Sequence, residues 1–206
     1  NIAFYQNSRA IERLIDIGNF YRYGFDGIRI LDAKLPDGAS TNSATINSFK
    51  GVYNVITSAP AGGCIEETIE KANAAGMDTI SMGVMSFPGV LREISLGMRL
   101  FKSRIDRAIN AGTAGFVMGA TAYVQTDDES LETAIQKYRT LKSDKPITKD
   151  EMSDDELALA LLDRNELFRY VLKRTQEAEI VYLVPGFGRQ GGNIESFLNS
   201  GIDMNR

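Results

Sequence analysis

The sequence predicts an α/β fold built on a parallel sheet, and three observations predict it. Segments of strand and helix character alternate roughly every 25–35 residues, the spacing of consecutive βα units. Strands such as Ile180-Val181-Tyr182-Leu183-Val184 are apolar throughout, the pattern of a strand covered by helices on both faces. Ionisable, hydroxyl and glycine-rich residues recur where strands end, which is where α/β proteins place their chemistry. The countable βα units, about six, are fewer than a closed (β/α)8 barrel contains. A barrel and a doubly wound open sheet both fit at this point.

Taken in order, Asn1 to Tyr5 reads as the end of a strand. Asn7 or Ser8 caps a helix with Ile11, Leu14, Ile15 and Phe20 on one face, ended by Gly24. Ile28 to Ala33 is the next strand. Ser40 and Thr41 open a short helix carrying Ile46 and Phe49, stopped by Gly51. Val52 to Thr57 is a strand, and a loop at 60–63 leads into a helix through Ile65, Ile69 and Ala72, closed by Gly76. Met77 to Met85 is a strand. A helix from about Leu96 to Ala111 places Leu100, Phe101, Ile105 and Ile109 together. Gly115 to Ala120 is a strand and Leu131 to Leu141 a helix. The polar stretch Lys142 to Ser153 reads as a linker, and Asp155 to Gln176 as a helix whose acidic start and basic end suit its dipole. Ile180 to Val184, a glycine-rich loop from Pro185 to Gly192, and a short helix from Ile194 to Leu198 complete the pattern. The expected organisation is one domain over 1–206, with 142–176 as an inserted loop plus helix.

Composition narrows the function classes. A chain of 206 residues that is 43% hydrophobic and 24% charged suits a globular enzyme or binding domain. Its net charge of −4 gives no electrostatic case for nucleic acid or an anionic membrane. No apolar run approaches the roughly 18 residues of a membrane span. One cysteine, Cys64, permits no intrachain disulfide and points to a reducing compartment, so a cytoplasmic location is expected. The absence of histidine excludes a Ser-His-Asp triad, a Cys-His pair and any His-ligated zinc. Acid–base work must fall to Lys, Asp, Glu, Tyr or Cys.

The candidate chemistry begins at Asp32-Ala33-Lys34-Leu35-Pro36-Asp37. Alternation in an extended strand would send Asp32 and Lys34 from one face, and Pro36 and Gly38 then break the strand. Asp-x-Lys alone also fits an ordinary surface salt bridge. A second stretch, Pro185-Gly186-Phe187-Gly188-Arg189-Gln190-Gly191-Gly192, carries four glycines in seven residues. Such a loop lets backbone N–H groups approach an anion, though a glycine loop without a ligand has the same composition. It is neither a P-loop nor a Gly-x-Gly-x-x-Gly fingerprint. Ser86 and Thr121 end two further strands and fit either a ligand contact or a turn.

Together these residues resemble the orotidine 5′-monophosphate decarboxylase superfamily. Asp32-Ala33-Lys34-Leu35-Pro36-Asp37 matches its D-x-K-x-x-D signature, with Ser40-Thr41 following. Met85-Ser86-Phe87-Pro88-Gly89 is similar to a Met-Ser-His-Pro-Gly segment, Gly119-Ala120-Thr121 to a Gly-Ala-Thr, and Pro185 to Gly192 to a phosphate loop Pro-Gly-x-Gly-x-Gln-Gly-Gly.

The resemblance implies a (β/α)8 TIM barrel, dimeric, that converts orotidine 5′-monophosphate to uridine 5′-monophosphate in pyrimidine biosynthesis without metal or cofactor. Lys34 would protonate C6, Asp32 would lie beside the departing carboxylate, and Asp37 and Thr41 would reach the partner subunit's site. Ser86 would hydrogen-bond the pyrimidine; Gln190, Gly191 and Arg189 would serve the phosphate. The family's first-strand aspartate, second-strand lysine and eighth-strand arginine do not stand in this chain, so the barrel here lacks its first and last strands. A working protein longer at both ends is expected, with the second lysine just upstream of Asn1. A metal-dependent sugar-phosphate decarboxylase or aldolase of the same superfamily, and a non-catalytic nucleotide-binding barrel, are the alternatives.

Overall fold

The structure, a computed structural model, describes residues 28–35, 37–58, 64–86, 90–142, 152–176, 180–187, 192 and 197–200. Five strands form one parallel sheet in chain order: β1 (Ile30–Leu31), β2 (Val55–Ser58), β3 (Asp78–Val84), β4 (Gly115–Met118) and β5 (Val181–Leu183). Between them, among the described residues, lie α1 (Ala39–Phe49), α2 (Ile65–Ala74), α3 (Val90–Asn110), α4 (Asp128–Lys142) and α5 (Asp154–Thr175). The α/β class is therefore as expected. The strand order contains no reversal of the kind that marks a doubly wound sheet, and is compatible with part of an α/β barrel.

The chain divides into two compact units, Asn1–Ser81 with Arg107–Gly115, and Met82–Asp106 with Phe116–Arg206. In the first, β1 pairs with β2 through Ile30↔Val55 and Leu31↔Ile56, and β2 pairs with β3 from Val55↔Asp78 to Ser58↔Ser81. All four residues of β2 are buried, as its uninterrupted Val-Ile-Thr-Ser run requires of an inner strand. Ile65, Ile69 and Ala72 give α2 a buried stripe. Gly76, at φ 75°, ends α2 in the left-handed conformation that glycine adopts at no steric cost. Leu35, Ile46, Ile56, Ala72 and Met77 form the core.

In the second unit the core joins Leu91 of α3, Ile135 of α4 and Leu157, Ala160 and Leu161 of α5. Ser153 caps α5: its hydroxyl accepts from the Glu156 N–H, and the Glu156 carboxylate accepts from the Ser153 N–H. Asp154, Asp155 and Glu156 open this helix and Lys173 and Arg174 close it, as expected. The helix buries Leu157, Leu161, Phe168 and Val171 along one stripe.

Three expectations fail in detail. The first strand is two residues long rather than Ile28 to Ala33, because Ile28 is 70% exposed and the chain turns at Lys34 and Leu35. Ile180 to Val184 shortens to Val181–Leu183, and Val181 is exposed rather than covered. α3 begins at Val90, not near Leu96, because burial of Val90, Leu91 and Ile94 carries the helix across a kink at Gly97. Its buried stripe runs through Leu91, Ile94, Ile105 and Ala108, leaving Leu100 exposed. The expected strand Asn1 to Tyr5, the helix after Asn7, the loop 60–63 and the linker at 143–151 lie outside the described residues.

Candidate active site

The first unit brings Asp32 and Lys34 together, by a route other than strand alternation. β1 has ended at Leu31, and Lys34 and Leu35 adopt positive φ, 58° and 29°. For non-glycine residues this conformation is costly, of order 1–3 kcal/mol each. The bend drives Leu35 into the core beside Ile46, Ile56, Ala72 and Met77. It also turns the Lys34 ammonium back, with Nζ 2.7 Å from both Oδ1 and Oδ2 of Asp32. Thr57, on β2, locks the pair: its Oγ1 accepts the Lys34 backbone N–H at 2.9 Å and donates to Asp32 Oδ1 at 3.0 Å. The Lys34 hydrogen bond, opposed by partial burial and aided by Thr57, holds the Asp32 carboxyl below the usual aspartate range. The pair is open to water, with side chains 52% and 66% exposed for Lys34 and Asp32.

Asp37 does not join them. Its Oδ1 accepts the Gly38 N–H at 2.7 Å, and it is exposed. Its backbone is held from behind: the Asp37 carbonyl accepts from Asn42 Nδ2 at 2.8 Å and from Cys64 Sγ at 3.1 Å. Buried Asn42 also donates to the Leu35 carbonyl and to Thr68 Oγ1, so one amide fixes the whole turn. Thr41 is exposed on the first turn of α1.

The second unit holds the other candidates. Ser86 follows β3 and lies over Gly119, which follows β4: a Cβ on Gly119 would fall 2.8 Å from Ser86 Cβ and 3.0 Å from its Oγ. Thr121 follows on the same turn. The ends of the glycine loop are pinned. Gly192 N–H donates to the Gly186 carbonyl at 3.0 Å, Phe187 bridges to Gly192, and the Ala120 N–H donates to the Pro185 carbonyl at 2.8 Å. Gly186 has φ 110°, and a Cβ on Gly192 would lie 2.6 Å from the Gly186 oxygen. Only glycine fits there. Arg189, Gln190 and Gly191 lie outside the described residues.

Sequence reading missed two groups here. Thr57 was legible only as the last residue of a strand, though a hydroxyl inside an apolar strand is the signal that marks it. Arg164 occupies an apolar-stripe position of α5 between Leu161 and Phe168. Its Nη2 donates to the Thr121 carbonyl at 3.3 Å and its Nη1 to the Ser86 carbonyl at 3.5 Å.

Among the described residues, no three His, Cys, Asp or Glu side chains cluster as metal ligands would, and no helix is long and apolar enough to cross a membrane. No protein-family model matches the chain, and a search of curated proteins returns no relative.

Proposed function

We propose that this chain decarboxylates orotidine 5′-monophosphate to uridine 5′-monophosphate, as a homodimeric (β/α)8 barrel working in the cytoplasm without metal or cofactor. The observation that carries the reading is the Asp32–Lys34 pair, held by Thr57 on a strained turn just past a parallel strand. The D-x-K-x-x-D pattern and the glycine loop support it from the sequence.

In this reading the substrate carboxylate approaches Asp32, whose negative charge disfavours the ground state. The C6–carboxylate bond breaks, its electron pair stays on C6, and CO2 leaves. Lys34 Nζ, already hydrogen-bonded and charged, delivers a proton to C6. Fixed charges of this kind favour the transition state without reorganising. Asp37, exposed and turned to its own backbone, is free to serve the partner subunit's site, and Thr41 goes with it. Ser86 hydrogen-bonds the pyrimidine. Gln190, Gly191 and Arg189 take the phosphate, whose binding supplies energy for closing the site.

The test is a decarboxylation assay on the full-length protein with and without EDTA. Turnover of orotidine 5′-monophosphate that survives chelation is expected. Activity lost in EDTA and restored by a divalent ion would move the chain to the metal-dependent sugar-phosphate enzymes of the superfamily, and absence of turnover would leave a binding barrel.

A further inference from the structure

Arg164 is the charged group that the proposed mechanism leaves unused. It is 4% exposed, on the same face of α5 as buried Leu157, Leu161, Phe168 and Val171. A guanidinium carries five donor hydrogens. Here the fork makes two long hydrogen bonds, to the Ser86 and Thr121 carbonyls, and Nε is buried with no partner. Among the described residues no carboxylate pairs with it, and burial alone pushes its pKa down to about 10, so it remains a cation at neutral pH.

A charge in this position is unfavourable for folding. Removing an ion from water costs several kcal/mol, and long bonds to neutral carbonyls return only part of that. Ser86 and Thr121 are both partly exposed, so water can satisfy their carbonyls if the arginine goes. A methionine would fill the same stripe position without the penalty. Stability therefore does not explain the arginine. Its geometry does: the two terminal nitrogens span the segments leaving β3 and β4, and only a planar fork reaches both.

We infer that Arg164 is a positioning residue, which sets the Ser86 hydroxyl for its ligand by tying the Ser86 backbone to the Thr121 turn. The inference rests on the proposed reading of Ser86 as a pyrimidine contact. Gly119 completes the device, because the absence of a side chain there lets Ser86 settle onto it.

The experiment uses the full-length protein and uridine 5′-monophosphate as probe, with Arg164→Met, Ser86→Ala and the double variant. Arg164→Met is expected to keep or raise the thermal midpoint while weakening binding about tenfold or more, the scale of a misplaced contact. In turnover the loss falls on KM more than on kcat. In the Ser86→Ala background the same substitution changes Kd by less than about twofold, because coupled residues do not add. A purely structural arginine gives the reverse, a lowered midpoint with Kd unchanged, or a binding loss that adds fully to that of Ser86→Ala. Either result overturns the inference. Should the methionine variant not fold, Arg164→Lys carries the same cycle, since it retains the charge but reaches only one carbonyl; an unchanged Kd there is equally fatal. A parent protein that neither binds the nucleotide nor turns over the substrate sinks the reading of the site instead, which separates the two failures.

Discussion

Lys34, just past the end of β1, and Arg164, inside α5 with its guanidinium on the segments that leave β3 and β4, lie in different units, and the protein treats them in opposite ways. Lys34 is half exposed, paired with Asp32 at 2.7 Å and braced by Thr57. Arg164 is buried, hydrogen-bonds two carbonyls, pairs with no carboxylate among the described residues and leaves one nitrogen unpartnered. Neither arrangement is what stability alone would select. An exposed ion pair contributes little, about 0–1 kcal/mol, yet the turn that forms this one holds two residues at positive φ. A buried cation without a counter-ion is worse still for the fold. The difference separates two ways of using charge: Lys34 is presented to solvent where a ligand can reach it, and Arg164 acts from behind on the backbone that carries another contact.

The largest effect expected on that comparison is at Lys34. Lys34→Ala removes the proposed proton donor, and on that reading decarboxylation should fall by about a thousandfold or more, the combined scale of general acid and charge preorganisation. Stability should hardly move, because the pair is exposed. Steady-state assays alongside urea unfolding check both halves. A variant that keeps its turnover breaks the mechanism, and one that unfolds readily breaks the claim that the pair is there for chemistry.

The two units should also answer differently to a single added methyl group. At Gly119 a Cβ would meet Ser86 at 2.8 Å, whereas at Gly38 it would meet nothing within 4 Å. Gly119→Ala should therefore cost about 1–3 kcal/mol by overpacking and weaken nucleotide binding by displacing Ser86. Gly38→Ala, at φ −65°, should leave the unfolding free energy within about 0.5 kcal/mol of the parent. Chemical unfolding of both variants decides it, and equal behaviour would mean that Ser86 yields freely and is not held.

How much of this was legible in the sequence follows from which signals are local. The α2 stripe at Ile65, Ile69 and Ala72, its stop at Gly76 and the charge gradient along α5 are written in consecutive turns, and all three appear in the structure. Asp32 and Lys34 do meet, but the alternation that suggested it is not the cause. Leu35 takes a core position, and the backbone bends to place it there. That is a tertiary demand no window around Lys34 contains. The helix expected from about Leu96 starts at Val90 instead, because burial of Val90, Leu91 and Ile94 carries α3 across the kink at Gly97. Thr57 and Arg164 were hidden for the same reason: each matters for what lies 25 or 43 residues away in the chain.

The smallest expected effect tests the exposed pair through its titration. In the folded chain the Asp32 carboxyl lies below its ordinary value of 3.8, chiefly through Lys34. Between the two values the unfolded state holds more protons, so stability rises with pH there. The contribution is fully present above the unfolded value and is lost as pH falls through the folded one, that is, in the acid region below 3.8. Solvent screening keeps it to about 0.5 kcal/mol or less. The sharper readout is the carboxyl itself, followed by carbon-detected NMR. Thr57→Val, which removes one donor, should move the Asp32 midpoint part of the way back, and Lys34→Ala most of the way. If Thr57→Val moves it as far as Lys34→Ala does, then the strand hydroxyl rather than the ammonium holds the charge. The contrast between a cation offered to a ligand and a cation working from behind would then lose its first member.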